Sequence, residues 1–207
     1  MPNWCMTTYH FHGDYNSLML LRHKIIEWTN TNWTETNFGK DWLGNILYGA
    51  GLQDRIDHPD PDKRLCCRGT LVDISDVNQK GILSLYTETA WVPMGKMWEE
   101  VIKVLGLNVG FIFEAEEPGG DLYQIYNPHC YEDFDDEDYY IEVEMADGAF
   151  FSEYTTEDGA IETLNQILNK SETDINVLIE EANKYTENND DGYIKVAEFE
   201  LLSELND

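Results

Sequence analysis

Six segments in the first 117 residues switch between strand and helix periodicity in a fixed order, and that order restricts the folds open to the chain. Residues 4–12 are aromatic and β-branched and stop at Gly13-Asp14, which predicts a strand followed by a helix N-cap at Asp14. Leu18, Leu21, Ile25 and Trp28 then recur at helical spacing, with Arg22, Lys24 and Glu27 between them. Two apolar, β-branched runs over 68–75 and 81–91 predict a hairpin whose loop is 76–80. Pro93 opens a helix over 94–105, with Met97, Trp98, Val101, Ile102 and Leu105 on one stripe, and a strand over 109–114 follows. Strand, helix, two strands, helix, strand is the split βαβ arrangement, so the expectation is an α+β fold with a ferredoxin-like core. The apolar island 42–47, broken by Gly44 and followed by Gly49 and Gly51, predicts a small inserted helix. The expected core includes Leu21, Ile25, Leu71, Leu85, Trp98, Ile102 and Phe111.

Beyond Pro118-Gly119-Gly120 the pattern predicts strands over 121–126, 139–145 and 150–154. A helix starting at Thr156 or Glu157 carries Ile161, Leu164, Ile167 and Leu168. Ser171-Glu172-Thr173-Asp174 reads as a capping box for another helix, carrying Ile175, Leu178, Ile179 and Ala182. After the polar stretch 187–192 a last amphipathic helix is expected, with Phe199, Leu202 and Leu205. The division expected is therefore a ferredoxin-like domain over 1–125 and an acidic extension of strands and a helical hairpin over 126–207.

Charge follows the same division. Of 41 acidic residues, 28 lie in 111–207, where only Lys170, Lys184 and Lys195 oppose them. So negative a stretch repels phosphate and anionic lipid and attracts surfaces built to hold them. Direct nucleic-acid binding, which needs a positive footprint, is excluded, and a basic protein or a cation is the expected partner. No segment has the apolar length of a membrane span, and Met1-Pro2-Asn3-Trp4 lacks the features of a secretion signal, which together predict a cytoplasmic protein. Cys5, Cys66, Cys67 and Cys130 include no Cys-x-x-Cys, which favours buried reduced thiols over a zinc site or a disulfide framework.

Three segments carry a specific resemblance: the Met1-Pro2-Asn3-Trp4-Cys5 start, the Glu88-Thr89-Ala90-Trp91 that ends one strand, and Phe113-Glu114-Ala115-Glu116-Glu117-Pro118-Gly119 after another. Together they resemble the YubB-type ferredoxin-like family of bacteriophages and plasmids, over roughly the first 125 residues. The resemblance implies a ferredoxin-like fold and residence on a mobile genetic element, hence the cytoplasm of a host bacterium. It implies no reaction. It does supply a motive for the charge, because small acidic proteins of mobile elements often antagonise host nucleic-acid-binding defences by imitating phosphate rows. B-form DNA carries one charge per roughly 1.7 Å of axis, and only a dense carboxylate array approaches that. The residues expected to meet the partner are Glu132, Asp133, Asp135, Asp136, Glu137, Asp138, Glu142, Glu144 and Asp147. The leading expectation is thus an inhibitor of anti-CRISPR or anti-restriction type, acting as a nucleic-acid mimic on a basic nucleic-acid-binding protein such as a host defence nuclease.

The alternative is a calcium-binding module. Residues 187–198 resemble an EF-hand loop, with oxygen ligands at the first, third and fifth positions, Gly192 at the sixth, an apolar residue at the eighth and Glu198 at the twelfth. The ligands would be Glu187, Asn189, Asp191 and Glu198 with the Tyr193 carbonyl, although Glu187 stands where aspartate is the rule. A polar turn between two helices explains the same residues. Cofactors are expected to be none, or calcium at this loop.

Remaining candidates have plainer readings. His10 and His12 alternate on one strand face without a third ligand nearby, so a half-solvated strand face accounts for them. The carboxylate pairs Glu114 with Glu116 and Glu142 with Glu144 share strand faces, but no serine, cysteine or lysine nucleophile stands in a catalytic motif. No enzyme is expected. Tyr123, Tyr126, Tyr131, Phe134, Tyr139 and Tyr140 interleave with carboxylates, a pattern suited either to an arginine-rich interface or to sheet packing.

Overall fold

The computed structural model describes residues 3–31, 33, 38–117, 119, 122–128, 138–145, 148–189 and 192–205. The chain forms an α+β structure of two compact units, Met1–His129 with Leu201–Asp207, and Cys130–Glu200. The last residues thus belong to the first unit, beyond the division expected near residue 125.

The first unit is organised by β1 (Trp4–Gly13), whose side chains alternate so that Cys5, Thr7, Tyr9 and Phe11 are fully buried. Asp14 ends the strand and caps α1 (Tyr15–Asn30), its carboxylate accepting the Ser17 N–H at 3.0 Å. α1 then buries Leu18, Leu21, Ile25 and Trp28, and α2 (Gly44–Gly49) adds Ile46 and Leu47 to the same core. β2 (Gly69–Ile74) and β3 (Ile82–Ala90) form the hairpin, α3 (Gly95–Leu105) follows, and β4 (Val109–Glu117) and β5 (Leu122–Tyr126) complete the run. With β9 (Glu200–Leu202) these strands make one sheet in the order β2-β3-β1-β4-β5-β9. β3 and β4 flank β1 antiparallel, and β2 lies antiparallel beyond β3, so each connecting helix crosses over one intervening strand.

Rings lock α3 onto this sheet. Tyr9 lies 5.8 Å from Trp98, 6.0 Å from Phe111 and 5.4 Å from Phe113, edge-on in each case. Its hydroxyl accepts the Met94 N–H at 2.9 Å, satisfying an amide at a helix start that has no side-chain cap. At the other end Gly106 takes the left-handed conformation (φ 63°) and its N–H returns to the Ile102 and Lys103 carbonyls, which stops the helix. Of the expected core residues, Leu71 is only half-buried, because β2 lies at the sheet edge.

The second unit contains β6 (Tyr139–Glu144), β7 (Phe150–Thr155), α4 (Glu157–Leu168), α5 (Ile175–Asn188) and β8 (Tyr193–Glu198). Its sheet has the order β7-β6-β8, with both pairings antiparallel. Ile141, Val143, Leu164, Leu178 and Ile194 form its core. Thr156 is the N-cap of α4, so the helix starts at Glu157, one of the two starts that the sequence offers. The capping box does not form: Asp174 is itself the N-cap of α5, accepting from the Asn176 N–H at 3.0 Å. Asn165 makes that start possible, because its amide bonds both the N–H and the carbonyl of Glu172 and fixes the link between the helices.

The largest correction concerns the end of the chain, where a helix was expected and two strands form. Tyr193, Lys195 and Ala197 alternate with Ile194 and Val196, and pairing with the central strand β6 outweighs the weak helical spacing of Phe199, Leu202 and Leu205. Among the described residues, no helix is long and apolar enough to cross a membrane.

Candidate acidic interface

β6 alternates Ile141 and Val143 on the core face with Tyr140, Glu142 and Glu144 on the other. Glu142 is the best-held carboxylate of that face. The Tyr140 hydroxyl donates to it at 2.6 Å and the Tyr193 hydroxyl donates from β8, so two phenols grip one side chain. Those hydrogen bonds, with Lys195 opposite on β8, hold the Glu142 carboxyl below the usual carboxylate range. The Tyr193 phenol responds in the opposite sense and is pushed up to about 12, chiefly by the bond to Glu142. Glu142 is therefore a fixed negative charge at neutral pH, and Glu144 beside it is exposed.

Asp138, also exposed, precedes β6, and its carbonyl accepts the Phe199 N–H at 2.8 Å. Glu132, Asp133, Asp135, Asp136, Glu137 and Asp147 lie outside the described residues. Little offsets the acidity. Residues 130–200 contain 22 acidic residues and three lysines, and two of those lysines, Lys170 and Lys184, both pair with Glu181 at 2.8 Å. Their hydrogen bonds push Glu181 down to about 2.

The described EF-hand-like residues lie at the end of α5 and along β8. Glu187 lies in the last turn of α5, and the Asn189 amide donates to the Tyr185 carbonyl at 2.6 Å rather than facing a loop centre. Tyr193, whose carbonyl was the expected ligand, opens β8 opposite Glu144, and Glu198 ends the strand opposite Tyr139, where the motif has the start of a helix. Asp191 lies outside the described residues, and among those described no three His, Cys, Asp or Glu side chains gather in a metal-holding group.

The other candidates resolve into packing. His10 bonds Ser84 at 2.8 Å, and burial, with His12 nearby, lowers its pKa. Cys5, Cys66 and Cys67 are free thiols, and burial pushes Cys67 up to about 12. Tyr123, Tyr139 and Tyr140 are buried and Tyr126 stacks on Phe113, so these rings build sheets; Tyr131 and Phe134 lie outside the described residues.

Two features escaped sequence reasoning. β7 leaves Phe150, Phe151 and Tyr154 exposed, which a strand pattern alone does not reveal because it carries no information on sheet order. The three segments that carry the family resemblance also meet at one end of the first sheet. Trp4 pairs with Ala90, the Asn3 carbonyl accepts the Trp91 N–H at 3.0 Å, and Met6, the residue after the first segment, pairs with Glu116. Trp91 adopts a left-handed conformation (φ 69°) that is costly for a bulky residue, and it stays half-exposed, as does Trp4. Comparison of the chain with protein-family models, curated proteins and solved structures finds no significant match.

Proposed function

We propose that the protein is an interaction protein of a mobile genetic element, an acidic mimic of nucleic acid that occupies the basic channel of a host nucleic-acid-binding defence effector. The observation that carries this reading is the charge of the second unit, 22 acidic residues against three lysines, with Lys170 and Lys184 both spent on Glu181. A field of that sign and density steers a basic channel toward it. Glu142, gripped by Tyr140 and Tyr193, supports the reading further, because a mimic needs charges held at defined positions.

The first unit serves in this account as the scaffold, a ferredoxin-like fold related to the YubB-type family. Its support is the strand order β2-β3-β1-β4 with a helix crossing over each intervening strand, and the meeting of the three resembling segments at one sheet end. The setting implied is the cytoplasm of a host bacterium, and the chain acts by binding rather than by catalysis. The calcium reading of 187–198 loses the second helix on which it depended.

The experiment that tests the function is affinity capture from a bacterial lysate at low and at high salt, followed by identification of the retained proteins. A nucleic-acid-binding nuclease retained at low salt and released by added duplex DNA supports mimicry. Retained proteins that neither salt nor DNA displaces contradict it.

A further inference from the structure

β7 is an edge of its sheet, and among the described strands it pairs only with β6. An edge strand turns a row of backbone donors and acceptors outward, and natural proteins blunt such edges with lysine, proline or a bulge. Phe150-Phe151-Ser152-Glu153-Tyr154-Thr155 has neither residue, and its register with β6 runs without a shift. Large aromatic surface remains exposed on both of its faces: Phe150 and Tyr154, 59% and 45% exposed, on the side of Glu142 and Glu144, and Phe151, 38% exposed, on the side of the helices. The strand is nonetheless well braced. The Thr163 hydroxyl of α4 donates to Glu153 at 2.6 Å, and the Tyr154 ring lies 5.0 Å from that of Tyr140. An ordered, aromatic edge without lysine, proline or bulge, whose one charge, Glu153, is held by Thr163, is a template for strand addition.

Charge selects the occupant. A second copy of the chain would bring two units of 22 acidic residues together, and like charges at such contacts oppose pairing. An added strand with cationic side chains on its outer face would lay them along Phe150 and Tyr154, where a guanidinium stacks well on an aromatic ring. They would stand two strand spacings, about 10 Å, from the backbone of Glu142 and Glu144, a gap that long arginine and glutamate side chains close between them.

We infer that the outer edge of β7 receives an extended, arginine- or lysine-bearing segment of a partner protein, which adds to the sheet as a fourth strand. The inference rests on the reading above that the partner is basic, and it names the part of the partner that docks and the backbone that receives it. Backbone pairing supplies the geometry, and the aromatic and acidic row selects cations on alternate positions.

The test uses the intact chain and two synthetic peptides of equal charge: an eight-residue alternation of arginine and valine, and the same peptide N-methylated at alternate backbone amides so that it cannot pair. The unmodified peptide is expected to bind about tenfold more tightly than the methylated one. It is also expected to slow hydrogen exchange at β7 amides and at no other strand. Equal affinity of the two peptides, or protection confined to another edge, overturns the inference, as does concentration-dependent protection of β7 without peptide, which would make a second copy the occupant. The outcomes separate from those of the function itself. Strand-dependent binding at β7 combined with a captured partner that DNA cannot displace retains the edge and rejects mimicry, whereas a DNA-displaceable partner without β7 protection does the reverse.

Discussion

The Tyr193 hydroxyl donates to the Glu142 carboxylate across the β6–β8 pair; the bond is the largest influence on the phenol, and on the carboxylate it adds to that of Tyr140. The phenol is pushed up to about 12 and the carboxyl is held below its ordinary range, so both changes favour the hydrogen-bonded form at neutral pH. For the phenol, whose folded pKa is raised, the stabilisation is complete below the ordinary value of 10 and is lost as pH rises through about 12. For the carboxylate, whose folded pKa is lowered, it is present above the ordinary 4.5 and lost as pH falls through the lower folded value. Ultraviolet titration should therefore show one phenol ionising near 12 that is missing from Tyr193→Phe. Carboxylate NMR should show the Glu142 titration moving up toward the ordinary range in that variant. The Tyr140 bond remains in that variant, so the move is partial; a Glu142 titration unmoved in Tyr193→Phe, with no phenol lost near 12, contradicts the bond.

Trp98 is fully buried on α3 and meets both Tyr9 and Phe11 edge-on. Trp98→Ala should cost roughly 3–5 kcal/mol of stability, the range for removing a large ring from a packed core. Denaturant unfolding measures it, and an unchanged midpoint contradicts the placement of α3 on the sheet.

Burial raises the pKa of both Cys5 and Cys67. Since the thiolate is the reactive form, alkylation of the native protein at mildly alkaline pH, mapped by mass spectrometry, should leave both thiols unmodified until denaturant is added. Rapid modification of Cys67 in the native state contradicts its burial.

Because β8 occupies the position of an exiting EF-hand helix, millimolar calcium should leave the melting temperature unchanged. Calorimetry decides the point. A binding heat that Glu198→Gln abolishes would restore the calcium site.

The first unit was legible because its elements announce themselves locally. Asp14 and Pro93 mark helix starts, and helical spacing assigns Leu21, Ile25, Trp98 and Ile102 to the core, where they are buried. The end of the chain was not legible for the opposite reason. Short amphipathic segments such as 193–205 fit two periodicities, and the presence of β6 as a strand with an open edge decides between them. The candidate site was half legible: the charge was plain in the sequence, but the tyrosine grip on Glu142 and the exposed edge of β7 depend on which strands become neighbours.

The most direct measurement is the salt dependence of binding to a captured nucleic-acid-binding nuclease, for the parent protein and for a variant carrying Asp133→Asn, Asp135→Asn, Asp136→Asn and Asp138→Asn. The variant keeps the shape of the side chains and removes four charges, and exposed charges are screened beyond about 8 Å at physiological ionic strength. Mimicry predicts that the parent's affinity falls steeply with salt and that the variant binds more weakly and with a shallower slope. Equal affinity and equal slope for the two proteins would contradict the account and leave the acidity to solubility.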